Sequence, residues 1–567
     1  MYYLETLKQQ LADDINKALK KKAVSPSDFV MPPKADMGDI CLPCFAAAQL
    51  LGSNPAAVAN TIAASFSSKT GTAVAAGPYV NISFLPAINS GVITQITQKP
   101  ESYGDQKWGG KKRVMQEYGN GNTHKEIHIG HLRNIAYGDA VNRILAANGF
   151  TSIPVAYIND FGIHTAKTLW HYLKTKPKEP SERKGFFLGQ LYAASVAAMG
   201  DDPKSKQEVG EVMKAIESRK GDVYKLWKKT RAWSLKQWDD LNKELGVKLT
   251  TTFYESDFVE KGLKMVEELK AKGILVDSQG AVIANLEDHN LGVLVVIRSD
   301  GTALYPVADF ALTFEKVKKY KLDTSLWVVD IRQRQYLSQL FKVLELAGLK
   351  AALGQLPYEF VKLPSGMMSS RSGNIISFDD LKKQTFDKAE AETKKRHADW
   401  PAKKVEKVVR TISYGALKFE MIKVGGEKVI TFDIDTALRF EGFTAAYIQY
   451  TFARIQSVVR KVPAAMKAVR PDFATLTESR ERALVMTLAR FPEIIRKAGE
   501  SYQPSEVAKY LYELAQLYND YYHAVPMLND KSLPAVIAIT RVELSKAVAA
   551  VIKRGLGLLG IGTIDEM

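Results

Sequence analysis

Residues Glu117–Arg143 read EYGNGNTHKEIHIGHLRNIAYGDAVNR, and this stretch decides the fold. Val114 and Met115 just ahead of it are apolar and imply a short strand. Gly119, Asn120, Gly121 and Asn122 break that strand. Leu132, Ile135, Ala136, Ala140, Ile144 and Leu145 then recur at helical spacing, so the order is strand, loop, helix. The loop delivers His128, Ile129, Gly130 and His131 to the helix N-terminus, where free backbone N–H groups and the helix dipole favour a phosphate. Two imidazoles there can donate to phosphate oxygens, and Gly130 lets a flat base lie close to the backbone. Three of the eight histidines, His124, His128 and His131, fall within this one loop. An H-x-x-H pair alone is commonly a core feature; the strand before it and the helix after it mark this one as a nucleotide loop.

The chain has 567 residues, enough for about three or four domains. Its 78 Lys and Arg against 62 Asp and Glu leave a charge of +16, which points to a polyanionic partner, nucleic acid first. A hydrophobic content of 46% fits a globular enzyme, and no run of 18 apolar residues would span a membrane. The N-terminus reads as an amphipathic helix and not as a secretory segment. Cys41 and Cys44 are the only cysteines. With no second pair to complete a metal shell they read as two buried thiols, no structural metal is expected, and a reducing cytoplasm fits.

Residues 1–105 read as a small α/β domain: a helix over about 3–22, a second at Cys44–Leu51, a third capped near Asn54, and a strand at Gly77–Phe84. Pro86–Lys112 reads as a linker. Residues 106–430 alternate strands with helices, the mark of a largely parallel sheet. Its expected strands are Val114–Tyr118, Ile153–Ile158, Val293–Ile297, Leu326–Asp330 and Phe360–Leu363, with a helical insertion at about 174–290. Residues 431–567 read as a helical bundle. In it Tyr447, Tyr450, Arg454, Val458 and Lys461 share one helical stripe, which suits either base stacking or a buried seam with basic ends.

A second polar loop, PSGMMSSRSGN at Pro364–Asn374, offers the hydroxyls of Ser369 and Ser370 and the fixed charge of Arg371 for closing over a triphosphate. Glu117 ends the first strand, where parallel sheets place their ligands. Tyr305 and Asp309 lie four apart at a helix start. Two carboxylates and a phenol converging on one pocket would suit a guanidinium and would leave a lysine side chain poorly paired.

With these residues assembled, the chain resembles the arginyl-tRNA synthetases, a class I aminoacyl-tRNA synthetase family, over essentially its whole length. His128–His131 stand as a HIGH motif, and Met368–Asn374 look like a variant of the KMSKS loop. Glu117, Asn122, Thr123 and Lys125 match the pattern before HIGH, and Tyr305, Asp309 and Gln333 match later elements. GDI at Gly38–Ile40 and GPYVNI at Gly77–Ile82 resemble the family's N-terminal tRNA-binding domain. FTAAYIQYTFARI (Phe443–Ile455) and the final LLGIGTIDEM resemble its anticodon-binding domain.

The resemblance implies an α/β multidomain protein with a Rossmann-like catalytic core, an N-terminal α/β domain and a C-terminal all-α bundle. It implies activation of L-arginine by ATP, with magnesium accompanying the nucleotide, and transfer to tRNA(Arg) by a cytoplasmic monomer. Catalytic roles fall on His128, His131, Lys125, Ser369, Ser370 and Arg371. ATP would contact Thr123, His128, Gly130, His131, Met368 and Ser369. Arginine would be held by Glu117, Asn122, Tyr305, Asp309 and Gln333, and tRNA by Asn81, Tyr447, Tyr450, Arg454 and Met567. The chain departs from the family pattern at Met367 and Ser370, where lysines are common, at Ala308, often arginine, and at His164, often glutamine. A class I synthetase for another amino acid, or a non-catalytic tRNA-binding paralogue, are the alternative readings.

Overall fold

The computed structural model describes residues 2–34, 37–364, 377–530 and 532–567. Met367, Met368, Ser369, Ser370 and Arg371 lie outside the described residues.

The helix Tyr3–Ala18 buries Leu4, Leu7, Leu11 and Ile15, the one apolar stripe its spacing predicts. Strands β1 (Ile40–Pro43), β2 (Gly71–Ala76) and β3 (Tyr79–Phe84) form an antiparallel sheet in the order β1-β3-β2. β1 was not expected, because ICLP is short and Pro43, between Cys41 and Cys44, suits a helix start. Both thiols are buried, which raises their pKa, that of Cys44 to about 11. Asn54 caps the helix Pro55–Ser65 as expected, its Oδ1 accepting from the Ala56 and Ala57 N–H groups. Pro86–Lys112 is not a linker throughout. Residues Ala87–Gln98 form a helix with Ile88, Val92, Ile93 and Ile96 buried, a stripe hidden in sequence by interleaved Asn, Ser, Gly and Gln.

The central sheet is parallel. It contains β4 (Arg113–Glu117), the two-residue β5 (Gly121–Asn122), β6 (Thr151–Asn159) and β7 (Thr251–Tyr254). A separate antiparallel sheet follows from β8 (Val276–Ser278), β9 (Ala281–Asn285) and β10 (Val293–Ile297). The chain then returns to the centre with β11 (Thr324–Asp330) and β12 (Ala352–Tyr358). The central order is β12-β11-β4-β6-β5, with β7 also paired to β6. β4 lies between β11 and β6, its Glu117 level with Trp327 on one side and Val155 on the other.

Two expected core strands therefore belong elsewhere. Val293–Ile297 alternates exposed and buried residues, as an antiparallel strand with one wet face does. The Phe360–Leu363 segment supplies β13 (Val361–Lys362), which pairs only with β14 (Ile430–Thr431). The strands of the central sheet that were not expected are β5, β7 and β12. ALGQLPY in β12 carries Gly, Gln and Pro, and is held as a strand by seven residue pairs with β11.

The insertion helix Gly221–Glu244 presses onto β5. A Cβ at Gly121 would fall 1.9 Å from the Trp238 ring, so only glycine lets the two elements approach. The C-terminal part packs the long helices Ala445–Arg460, Ser479–Ser501, Pro504–Ala524 and Ala535–Leu558. Among the described residues no helix is long and apolar enough to cross a membrane.

Arg133, two residues past HIGH on the helix Ile129–Ala147, is fully buried. Its guanidinium lies within hydrogen-bond distance of the carbonyls of Glu359, Phe360, Gly425, Gly426 and Lys428. It thereby fastens the helix to the segments on either side of the β13–β14 pair. Burial pulls its pKa down to about 10, yet it stays a cation at neutral pH. An ammonium has three donors in place of a five-donor fork. Arg133→Lys should therefore strand at least one buried carbonyl, cost about 1–3 kcal/mol and lower the melting temperature by a few degrees, read by calorimetry.

Candidate active site

At the carboxyl ends of β4, β6 and β11 lies a cavity of about 850 Å³. Its wall includes Glu117, Asn122, His128, Gly130, His131, Tyr305, Asp309 and Gln333, drawn from three separate stretches of chain. Parallel strands deliver their loops to one edge, which is why residues nearly 200 positions apart meet here.

The two histidines form a reciprocal cap. Nδ1 of His128 accepts from the Gly130 N–H at 3.1 Å, and Nδ1 of His131 accepts from the His128 N–H at 3.1 Å. Their rings stack with centres 3.9 Å apart. With both Nδ1 atoms accepting, each proton resides on Nε2, and each ring is a neutral donor. Burial is the main cause, with Lys125 and Arg332 adding repulsion at His128, whose pKa falls to about 4. His131 is held well below its ordinary value by burial, His128 and Lys125. The N–H groups of Gly130 and His131 are already bonded within the first turn, so the Nε2–H groups are the donors this helix start offers.

The acidic end of the cavity is more crowded than the sequence suggested. Glu117 is buried and paired with the buried Lys316 Nζ, while its other oxygen accepts from Asn120 Nδ2 at 3.0 Å. Asp309 accepts from the Tyr336 hydroxyl at 2.5 Å. A third carboxylate, Glu255, accepts from Asn159 Nδ2 at 3.1 Å, and Asn159 lines the cavity. Burial, before any other cause, raises Asp309 to about 7 and Glu255 to about 8, and the neighbouring carboxylates push both further up. Burial first, and then Asp309, Glu255 and Glu117, hold the phenols of Tyr157 and Tyr336 protonated.

Lys316, Glu255, Tyr336 and Arg332 were missed in sequence. Lys316 and Glu255 looked like ordinary helix and loop charges, and only burial reveals them. Arg332 follows β11 and is clamped to Asp330 by two contacts of 2.7 Å, with its side chain largely exposed at the cavity rim. Asn134, on the helix behind HIGH, ties two strand ends together. Its Oδ1 accepts from the Gly119 N–H and its Nδ2 donates to the Val328 carbonyl, both at 2.6 Å.

Other expected residues stand apart from the cavity wall. Thr123 is fully buried, its hydroxyl bonded to His124 Nδ1 at 2.9 Å. His124 in turn bonds Thr230 on the insertion helix at 2.8 Å, which makes it a brace. Lys125 places its ammonium 5.1 Å over the Tyr192 ring. Ala308 packs among Met115, Val155 and Phe253 beneath the sheet, and His164 is buried with Nε2 unpartnered. Asn81 sits mid-strand in β3, opposite Cys41 and Val74. On the helix Ala445–Arg460, Tyr447 is half buried, and Arg454 lies between the rings of Tyr450, at 4.9 Å, and Tyr522, at 5.0 Å. Met567 packs beside Trp400 on Val408 and Ile412.

Residues 92–431 match the family model described as tRNA synthetases class I (R), catalytic domain. Residues 5–84 match the arginyl tRNA synthetase N terminal domain, and residues 448–567 the DALR anticodon binding domain. An arginine–tRNA ligase of Bdellovibrio bacteriovorus is 34% identical, with 98% of this chain and 95% of that protein aligned. One from Clostridium perfringens is 31% identical over 95% of each. The solved arginyl-tRNA synthetase of Thermus thermophilus superposes with a TM-score of 0.80 at 27% identity, covering 99% of this chain and all of the other. Three matched segments in one order, full-length relatives and a cavity joining HIGH to buried carboxylates lead to one placement: the chain belongs to the arginyl-tRNA synthetase family of class I.

Proposed function

We propose that this cavity joins L-arginine to ATP as arginyl-adenylate and passes the arginyl group to the 3′-terminal ribose of tRNA(Arg). A carboxylate oxygen of arginine attacks the α-phosphorus and pyrophosphate leaves; a ribose hydroxyl then attacks the arginyl carbonyl and AMP leaves. Neither step needs a protein nucleophile, so the protein's contribution is position and charge. The observation that carries the reading is the meeting of His128 and His131 with Tyr305, Asp309 and Gln333 in one cavity.

In this reading the Nε2–H groups of His128 and His131 donate to phosphate oxygens, with Arg332 facing the same rim. Gly130 leaves room for the adenine. Asp309, with Glu255 behind Asn159, takes the guanidinium, while Asn122 and Gln333 orient the α-amino end. Glu117 acts through its Lys316 pair, which sets the charge of the pocket. Lys125 and Thr123 shape the loop from behind, and the 364–374 loop with Ser369, Ser370, Arg371 and Met368 closes over the triphosphate. Among the described residues no three His, Cys, Asp or Glu side chains converge on a metal position. Magnesium would accompany the bound nucleotide. A monomer is the proposed working state. An enzyme of translation with two reduced, buried thiols fits the cytoplasm.

ATP–pyrophosphate exchange with each amino acid, run with tRNA present, tests the reading; exchange with lysine and none with arginine would overturn it. Asp309→Asn should raise the KM for arginine about 100-fold or more and leave ATP affinity within about twofold, and an unchanged arginine KM would remove Asp309 from the pocket.

A pH effect follows from the raised carboxyls. The folded chain keeps protons on Asp309 and Glu255 that the unfolded chain releases near pH 4, so the ligand-free fold loses stability as pH rises through about 7 and 8. A guanidinium favours the ionised forms and so gains affinity over the same range. The arginine-induced rise in melting temperature should be small at about pH 6 and largest at about pH 8.5. A rise that shrinks with pH in differential scanning fluorimetry would contradict it.

A further inference from the structure

Away from the cavity, one stretch of surface alternates ring planes with cations. Where the helix Phe378–Arg396 ends and the helix Ala402–Ile422 begins, the His397 ring lies on the Trp400 indole at 3.7 Å and 6°. Lys404 Nζ stands 3.9 Å from the centre of the same indole. Two groups this close to one ring centre cannot share a face, so the indole is sandwiched between them. The His397 residue at the end of this stack is partly exposed. One residue earlier, the Arg396 guanidinium lies 4.3 Å over the Phe440 ring. Its side chain is 46% exposed and has only a loose 3.9 Å contact with Glu392.

Phe440 meets Tyr450 edge-on at 5.9 Å, and Tyr450 carries Arg454. A row of planes and cations thus runs from Arg396 through Phe440 and Tyr450 to Arg454. Arg454 and Tyr450 fall in the segment matching the anticodon binding domain, whereas Arg396, His397 and Trp400 fall in the segment matching the catalytic domain. The chain's last residue, Met567, joins the two by packing beside Trp400.

We propose that Arg396 and His397 are RNA-binding residues that stack on unpaired bases of the tRNA anticodon loop, extending the RNA surface onto this helix junction. The inference rests on tRNA being the substrate. A guanidinium and an imidazole each present a flat face to a base, and the adjoining Lys394, Lys395 and Arg396 supply positive charge to its phosphates. The guanidinium lies over the Phe440 ring while its side chain remains 46% exposed. Continuity with the Tyr450–Arg454 row identifies the occupant as RNA, and an excess charge of +16 agrees in sign.

The test uses the full chain and a tRNA(Arg) transcript, with binding read by filter retention and charging by steady-state kinetics. The double variant R396A/H397A should raise both the Kd and the KM for tRNA about tenfold, the effect of losing roughly one stacked base. The kcat, the KM for arginine and ATP, and the melting temperature should be unchanged. His397→Phe, which keeps a flat ring, should bind tRNA better than His397→Ala. A minihelix lacking the anticodon arm should not distinguish the double variant from the parent chain. A tRNA Kd within about twofold of the parent, or an equal loss with the minihelix, overturns the proposal. Failure of the parent chain to charge tRNA with arginine would instead sink the reading of the cavity, and the binding titration would still decide this one.

Discussion

Three carboxyls, Glu117, Asp309 and Glu255, lie close to one another at the acidic end of the cavity, where a single buried ammonium, Lys316, is paired with Glu117. Removing charge from water is costly, and one cation cannot neutralise three anions. The fold answers by pairing Glu117 with Lys316 and, through burial, raising the other two carboxyls well above the usual carboxylate range. The pocket is thus poised for a second cation. A guanidinium brings planar donors that match carboxylate geometry, and its arrival releases the protons that the empty pocket holds. Selectivity then follows from the cost of leaving buried acceptors unpaired, since a shorter cation with one nitrogen would reach fewer of them.

At the other end the problem is reversed. A triphosphate calls for donors, and free imidazolium groups would repel each other at a separation of 3.9 Å. The helix solves this by using each Nδ1 as a cap for its own first turn, which fixes the tautomer and keeps both rings neutral. The same two bonds terminate the helix and aim its chemistry. The expectation that bare N–H groups would meet the phosphate gives way to one in which the imidazoles do, because the local cap consumes the backbone donors first.

What the sequence made legible was local and periodic. The strand–loop–helix order around His128 survives to within a residue or two, as does the helical character of the last 130 residues, since both rest on spacing within a few turns. What escaped it depends on partners far along the chain. β12 is held as a strand by β11 beside it, and Val293–Ile297 pairs with β9 of a separate antiparallel sheet. Lys316 is one of four lysines within six residues, and nothing in that run singles out the one that turns inward beneath Glu117. Thr123 and Lys125 were placed by pattern, and the insertion helix draws Thr123 inward through His124 and Thr230.

The C-terminal tail shows how closely the helical bundle is joined to the catalytic sheet. Lys418 is buried and donates to the carbonyls of Leu245, at the end of the insertion helix, and Gly560, in the tail. Beside it Asp139, on the helix that begins with HIGH, holds Arg143 at 2.8 Å, and Arg143 reaches the Gly246 carbonyl. Gly560 has φ of +67°, and a Cβ there would stand 2.6 Å from the Asp139 carboxylate. Burial draws the Lys418 pKa down to about 8, opposed by Asp139, so this ammonium stays charged at neutral pH through a carboxylate on the nucleotide-loop helix. Tail, insertion and catalytic helix therefore share one buried charge network, and displacing any of the three would leave a charge or a carbonyl without its partner.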